Sequence, residues 1–233
     1  MTLLICPVRP GDSNEELRYA LRSWETNLIL PDLRLMTVGY NPTWLEPDWH
    51  VDGNAYKSVA LAVFDNVLRG AREAVQFKVE EVIFMNDDFF CMDPSGAVLP
   101  VKRNCTLAEQ IDQTPPNMGL WWPASLRLTA HWLAVQGFPH PDSYEVHRPL
   151  VASAQGMVDA LSRWDGGMTE TVPQWRTVYG VLNKVDAHPV ADVKLGPRVS
   201  GVGSAWLSTS DLSWRRYMGP IKSRFQKPSR WER

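Results

Sequence analysis

The stretch that decides the fold is Val82-Ile83-Phe84-Met85-Asn86-Asp87-Asp88-Phe89-Phe90. An apolar run of strand length breaks into an amide and two acids, then resumes as two aromatics. Short strands buried on both faces read as continuous apolar runs. A strand that ends in Asn-Asp-Asp delivers carboxylates to the carboxyl edge of a sheet, where open α/β folds bind ligands. Adjacent acids between apolar flanks are costly to bury unless they meet a cation. A hard divalent cation such as Mg2+ or Mn2+ takes oxygen ligands, often one or two carboxylates plus substrate phosphates. Asp87 and Asp88 are therefore candidate metal ligands. The competing reading is a strand end whose acids cap the next turn.

Toward the N-terminus, residues 3–8 read as a first strand, closed by the Arg9-Pro10-Gly11 turn. Ser13-Asn14-Glu15-Glu16 has capping-box spacing, and Leu17, Ala20, Leu21, Trp24 and Leu28 follow at helical intervals. Residues 33–38 read as a second strand, and 44–53 as a loop rich in Pro, Asp, Trp and Gly. A long helix is expected from about Asn54, burying Ala55, Val59, Ala62, Val63, Val67, Ala71 and Val75. Residues 79–85 form the third strand. Strand, helix, strand, helix, strand predicts an α/β fold with a mostly parallel sheet flanked by helices. The strand ends then share one rim, which gathers Arg9, Asn41 and Asn86-Asp87-Asp88.

After Phe90 the pattern loosens. Residues 91–104 suit a hairpin or an extended pass. Helices are expected over 106–111, 126–136, 151–164, 174–182 and 210–218, with a late strand over 204–207. Residues 137–149, with three prolines and two histidines, read as a structured loop.

The chain has 233 residues, 44% hydrophobic and 21% charged, which suits a single domain spanning 1–233. A net charge of -2 gives no global pull toward nucleic acid or anionic lipid. From Arg198 onward basic residues dominate, which reads as a solvated end or as a contact for polyphosphate or an acidic partner. Three cysteines (Cys6, Cys91, Cys105) without a CxxC pair argue against a disulfide framework and favour a reducing, cytoplasmic setting. The first eight residues are too short for a signal sequence, and no apolar run nears the ~20 residues of a membrane span. Several of the tryptophans, including Trp44, Trp49, Trp121, Trp122 and Trp175, flank polar residues. They read as core packing or as platforms for a sugar or base.

Other residues join the acids as candidates. Arg9 follows the first strand, and the arginine fork matches phosphate oxygens. Arg18 and Arg22 share a helix face, where pairing with Glu15, Glu25 or another acid is the simpler reading. His147 stands two residues before Pro149 and titrates near neutral pH, so it can serve as a general acid or base. The alternative is an exposed structural imidazole. Arg176 can stabilise negative charge on a phosphate. Asp211 suits a metal, but Ser210 or Asp211 equally suits the cap of the last helix. There is no GxGxxG after a strand, no GxxxxGK[ST] and no GxSxG, which removes weight from dinucleotide oxidoreductases, P-loop enzymes and α/β-hydrolases.

Several stretches taken in order resemble the Stealth proteins, sugar-1-phosphate transferases of bacterial capsule synthesis. Their animal relative is the lysosomal-enzyme N-acetylglucosamine-1-phosphotransferase. Asp12-Ser13-Asn14-Glu15-Glu16-Leu17-Arg18-Tyr19-Ala20-Leu21-Arg22-Ser23 is similar to that family's "N-x-E-L-R-Y-S-L-R-S" signature. Asn41-Pro42-Thr43-Trp44-Leu45 resembles its "x-P-x-W-L", and Gly53-Asn54-Ala55 its "N-S-N-A". Phe84-Met85-Asn86-Asp87-Asp88-Phe89-Phe90 resembles "(F/Y)-x-N-D-D-x-F", and His147-Arg148-Pro149 resembles "H-x-P". The first strand departs from the family's "D-x-V-Y-T-W-V". Compact phage-type glycosyltransferases are similar in scale.

The resemblance implies a GT-A-like, Rossmann-type nucleotide-sugar fold. Its α/β half, 1–104, would bind the donor, and 105–233 would lie on the acceptor side. It implies Mg2+ or Mn2+ on Asp87 and Asp88, with Asp211 helping. Arg9, Arg18, Arg22, Asn54 and Asn86 would bind the donor, a UDP-sugar by preference. His147, Arg176 and Asp88 would act in catalysis on a glycan or protein hydroxyl. The implied reaction transfers hexose-1-phosphate. Transfer of the sugar alone and a non-catalytic carbohydrate-binding module are the alternatives.

Overall fold

In the computed structural model, residues 1–11, 13–115, 119, 121–167, 171–196 and 204–233 are described. Asp12 and Arg198 lie outside them. The first strand, β1 (Thr2–Val8), is buried from Leu3 to Val8, so both faces of the sheet are covered. It is followed by α1 (Glu15–Asn27), β2 (Leu33–Gly39), β3 (Trp49–Asp52), α2 (Val59–Gln76) and β4 (Glu81–Phe84). The chain continues through β5 (Phe89–Cys91), β6 (Val101–Arg103), α3 (Leu107–Gln113), α4 (Trp121–Val135), β7 (Leu150–Ser153) and α5 (Ala154–Leu161). It ends with α6 (Trp175–Leu182), β8 (His188–Val190), β9 (Trp206–Ser208) and α7 (Asp211–Arg224).

Five strands form the main sheet in the order β3-β2-β1-β4-β7. All neighbours are parallel except β7, which runs antiparallel to β4 along the edge. The fold is therefore mixed α/β with a mostly parallel sheet flanked by helices, as the sequence predicts, and its order matches a Rossmann-like arrangement. Side chains alternate between two cores because strand residues point to opposite faces in turn. Leu3, Ile5, Met36, Val38, Val82 and Phe84 pack against α2, α5 and α6. Leu4, Cys6, Leu35, Ile83 and Met85 pack against α1 and the C-terminal segment. Each such side chain fully withdrawn from water contributes about 1.5–3 kcal/mol.

Helix α1 also anchors the chain beyond β4. The buried Trp24 donates from Nε1 to the Phe89 carbonyl at 2.6 Å, and Asn27 Nδ2 donates to the Cys91 carbonyl at 2.7 Å. Ser23 Oγ accepts from Cys91 N at 3.0 Å. These bonds hold β5, and β5 pairs antiparallel with β9. The Asn86-Asp87-Asp88 turn is thus clamped at both ends.

Several local expectations are corrected. The capping box at Ser13 does not form. Asn14 is the N-cap, with φ 47° and no side-chain cap bond, because its amide donates to the Arg9 carbonyl at 2.9 Å. The expected loop 44–53 contains β3, an edge strand parallel to β2 whose polar residues mask its pairing. Helix α2 starts at Val59 behind a Ser58 cap, which leaves Asn54 in a loop. Residues 151–164 are not one helix. Leu150–Ser153 forms the sheet edge, and the Ser153 side chain, accepting from Gly156 N, turns the chain into α5. In the last helix Ser210 is the cap, in a reciprocal pair with Ser213.

The basic C-terminus is not a loose solvated end. Trp231 is buried and donates to Asp48 Oδ2 at 3.0 Å. Arg230 pairs with Glu25, Arg233 with Glu46, and Lys222 with Glu15. Acids from the first half of the chain thus tie down these three basic side chains.

Candidate functional site

The carboxyl ends of β1, β2 and β4 open into a cleft of three adjoining hollows. The first, about 430 Å3, lies between Arg9, Gly39, Tyr40, the loop Asn54–Tyr56, the start of α2, and Asn86 with Asp87. The second, about 440 Å3, is walled by Arg9, the N-terminus of α1, Asp87, Asp211 and Trp214. The third, about 280 Å3, is walled by Asn86, Phe89, Trp121, Trp122, His147, Gln174, Arg176 and Lys194. Arg9 and Asp87 are common to the first two hollows, and Asn86 to the first and third. The Asn86-Asp87-Asp88 strand end is therefore where the cleft converges.

A close backbone approach shapes the first hollow. Gly39 has φ 111°, and a Cβ there would meet the Val8 carbonyl at 2.5 Å and the Asn66 amide at 2.6 Å. Only glycine takes that conformation at little cost. Asn66 is buried beside it, and its Oδ1 has no partner among the described residues. Asn54 Nδ2 donates to Tyr56 Oη at 2.9 Å and to Asp65 Oδ2 at 3.2 Å, so it serves as wall. Tyr40, rather than the expected Asn41, lines the hollow.

At the convergence Arg9 bridges two acids. Its Nε lies 3.6 Å from Asp87 Oδ2, and its Nη2 donates to Asp211 Oδ1 at 2.8 Å. Asp211 thus joins the cluster as the partner of Arg9, at the exposed first turn of α7. Burial, then the charge of Asp88, pushes the Asp87 carboxyl upward, while Arg9 and Lys194 pull it down. Asp88 is buried. Its carbonyl accepts from Thr209 N at 3.3 Å, and its Oδ2 accepts from Ser208 Oγ at 3.0 Å and from Lys194 Nζ. Its Oδ1 has no partner among the described residues.

His147, which lines the third hollow, is paired with Asp192 behind it. His147 Nδ1 lies 2.9 Å from Asp192 Oδ2, and the His147 backbone N–H donates to Asp192 Oδ1 at 2.9 Å. Arg103 Nη1 adds a 3.1 Å contact to Asp192 Oδ2. The parallel pairing of β6 with β8 brings Asp192 to that place. Burial opposes the Asp192 carboxylate, but the hydrogen bonds and charge of His147 and the charge of Arg103 hold it well below the usual range. With Nδ1 committed to Asp192, Nε2 is the nitrogen left for proton transfer.

Arg176, on α6, is buried beside this pair. Its Nη1 donates to the Arg148 carbonyl at 2.8 Å, and its Nη2 reaches Asn86 Oδ1 at 3.4 Å. Burial lowers its pKa to about 10, which leaves it charged at neutral pH. Glu145 Oε1 accepts from Thr177 N at 3.0 Å and Thr177 Oγ1 at 2.9 Å, which anchors the first turn of α6.

The structure brings Arg9, Asn54, Asn86, Asp87, His147, Arg176 and Asp211 to one cleft, while Asp88 lies buried behind its wall, bonded to Lys194, which lines the third hollow. It does not bring Arg18 or Arg22. Arg22 forks onto Glu232 at 2.8 and 2.7 Å, and Arg18 lies over the Trp44 ring with its Nε 3.5 Å from Glu232. Their shared helix face serves the C-terminal segment, because Glu232 offers a buried carboxylate to both arginines. Trp44 and Trp49 are packing residues, while Trp121 and Trp122 line the third hollow. Sequence reading missed Asp192 and Lys194. No local pattern marks them, because the β6–β8 pairing and the bridge of Lys194 to Ser208 put them in place.

Among the described residues, no group of three or more His, Cys, Asp or Glu side chains is placed to hold a metal ion. Asp87 and Asp88 fit a sparser site, with one or two carboxylates and the remaining oxygens drawn from substrate phosphates. The buried, unpartnered Asp88 Oδ1 and the partly exposed Asp87 carboxylate beside it are the observations that fit it.

No protein-family model matches the chain, and no curated protein matches it. Among solved structures, the crystal structure of 4-diphosphocytidyl-2C-methyl-D-erythritol synthase is similar, with 10% identity and a TM-score of 0.48. The match covers 94% of this chain and 97% of that one. A likeness of that degree does not decide an activity. No helix among the described residues is long and apolar enough to cross a membrane.

Proposed function

We propose that the protein is a transferase that uses a nucleotide-activated sugar and moves hexose-1-phosphate to a hydroxyl acceptor. The observation that carries this reading is the shared wall. Asn86 borders both the first hollow and the third, which is lined by the Asp192-paired His147 and the buried Arg176. The nucleoside lies in the first hollow, and the diphosphate crosses Arg9 and Asn86. The acceptor enters the third hollow between Trp121 and His147.

His147 Nε2 takes the acceptor proton while the hydroxyl oxygen attacks the β-phosphorus. The bond from that phosphorus to the bridging oxygen breaks, and the nucleoside monophosphate leaves with the bridging oxygen. Asp192 holds the imidazole in the tautomer that leaves Nε2 unprotonated. Arg176 offsets the negative charge of the moving phosphoryl group in a site shielded from water. Asp87 and Asp88 would hold Mg2+ or Mn2+, which supplies charge neutralisation for the diphosphate. Asp211 would support them through Arg9.

The test is product analysis from labelled UDP-hexoses and a panel of glycan and peptide hydroxyl acceptors. Release of UMP with hexose-1-phosphate on the acceptor is the expected result. Release of UDP would show transfer of the sugar alone. Arg176 would meet negative charge in either case, on the transferred phosphoryl or on the departing diphosphate, so the released nucleotide decides between the two.

A further inference from the structure

We propose that Lys194 is the resting counter-ion of Asp88, exchanged for a divalent cation when a nucleoside diphosphate arrives. The inference rests on the proposed nucleotide-sugar reading of the cleft. Lys194 Nζ is bonded to Asp88 Oδ2, and Lys194 also lines the third hollow. Its backbone is fixed, since Leu195 N donates to the Ser208 carbonyl at 2.8 Å and Ser208 N to the Val193 carbonyl at 3.2 Å. The same strand end presents Ser208 Oγ to Asp88 Oδ2 at 3.0 Å. Asp88 therefore has one oxygen satisfied twice and another, Oδ1, buried with no partner among the described residues. A buried carboxylate met at one oxygen by an ammonium and unpaired at the other is suited to exchange its counter-ion. A lone buried carboxylate beside Asp87 would repel its neighbour, so a cation is needed at all times.

The lysine stem gives Nζ several positions from one anchored backbone, and its ammonium binds phosphate as a point charge. With donor present, Nζ transfers from Asp88 to a phosphate oxygen, and the carboxylate is released to the cation that arrives with the diphosphate. A positive charge faces Asp88 before and after the exchange. The consequence is ordered binding: the apo protein holds a divalent cation poorly, and the diphosphate and cation bind together.

The experiment measures Mn2+ binding to the full chain by electron paramagnetic resonance, with and without UDP, CDP, GDP or ADP. It compares the wild type with Lys194→Gln and Lys194→Arg, and each protein's unfolding transition is recorded to confirm folding. The wild type should bind Mn2+ weakly alone and at least tenfold more tightly with one of the diphosphates, a coupling within the usual 5–150-fold span. Lys194→Gln should bind Mn2+ alone about tenfold more tightly than the wild type and gain less from the nucleotide. Lys194→Arg should restore the wild-type order. If folded Lys194→Gln binds Mn2+ alone no better than the wild type, while a diphosphate still tightens wild-type binding, the exchange is wrong and the nucleotide site stands. If no diphosphate alters Mn2+ binding by any of the three proteins, both the exchange and the nucleotide reading fail.

Discussion

His147 Nδ1 lies 2.9 Å from Asp192 Oδ2 across 45 residues of sequence, in the hollow that also contains Arg176. An imidazole held by a carboxylate at one nitrogen leaves the other free to meet a substrate, and on the proposed function this relationship makes the third hollow the reactive end of the cleft. Replacing His147 with Asn should lower kcat by about 10²–10⁴. Asp192→Asn should lower it by about 10–100-fold, since it acts through the ring. Steady-state kinetics should show donor KM nearly unchanged in both. A loss confined to KM would assign the pair to binding instead.

Asp192 also makes stability depend on pH. Its folded carboxyl titrates below its unfolded value near 4, so its contribution is fully present above that value and is lost as pH falls through the folded one. Asp192→Asn should therefore cost about 2 kcal/mol at pH 7. Urea unfolding of the two proteins should converge as pH drops below about 4. A gap of the same size at pH 7 and pH 3 would show that the carboxylate is not held by charge.

The Arg22–Glu232 fork tests the separation of tail from cleft. The side chains of Arg22 and Glu232 are 11% and 5% exposed, and breaking a buried pair by removing one partner costs about 3–5 kcal/mol. Arg22→Ala should lower the unfolding midpoint clearly while leaving donor KM in the folded protein unchanged. A large rise in donor KM without loss of stability would return Arg22 to the donor site.

Gly39→Ala probes the floor of the first hollow. A methyl there would stand 2.5 Å from the Val8 carbonyl at a φ of 111°. Strain of this kind costs about 1–3 kcal/mol. Chemical denaturation should show that loss, and Gly53→Ala, whose added carbon would meet the Gly39 Cα at 2.7 Å, should behave alike.

The parallel sheet was legible in the sequence because buried parallel strands leave continuous apolar runs such as Leu3-Leu4-Ile5 and Val82-Ile83-Phe84. β3 and β7 were not: Trp49-His50-Val51-Asp52 carries polar residues that read as loop, and Val151-Ala152-Ser153 runs on into the helical spacing of α5. The strand-end acids, Arg9 and His147 stood out because they interrupt apolar or proline-bounded stretches. Asp192 and Lys194 did not, because their roles depend on the β6–β8 pairing and the bridge of Lys194 to Ser208, contacts no local pattern encodes. For Arg18 and Arg22 the simpler reading of pairing with an acid was legible but its partner, Glu232 at the far end of the chain, was not.

The Asn86-Asp87-Asp88 turn, on the proposed function, holds a nucleotide-sugar diphosphate together with a divalent cation. Thermal unfolding of the wild type and Asp88→Ala, across UDP-, CDP-, GDP-, ADP- and TDP-sugars with and without Mn2+, tests that role most directly. A bound ligand at 100 times its Kd stabilises by about 2.7 kcal/mol, which a midpoint shift reports. One donor class should raise the wild-type midpoint only when Mn2+ is present, and Asp88→Ala should lose the rise. No shift with any donor, or an undiminished shift in Asp88→Ala, would contradict it.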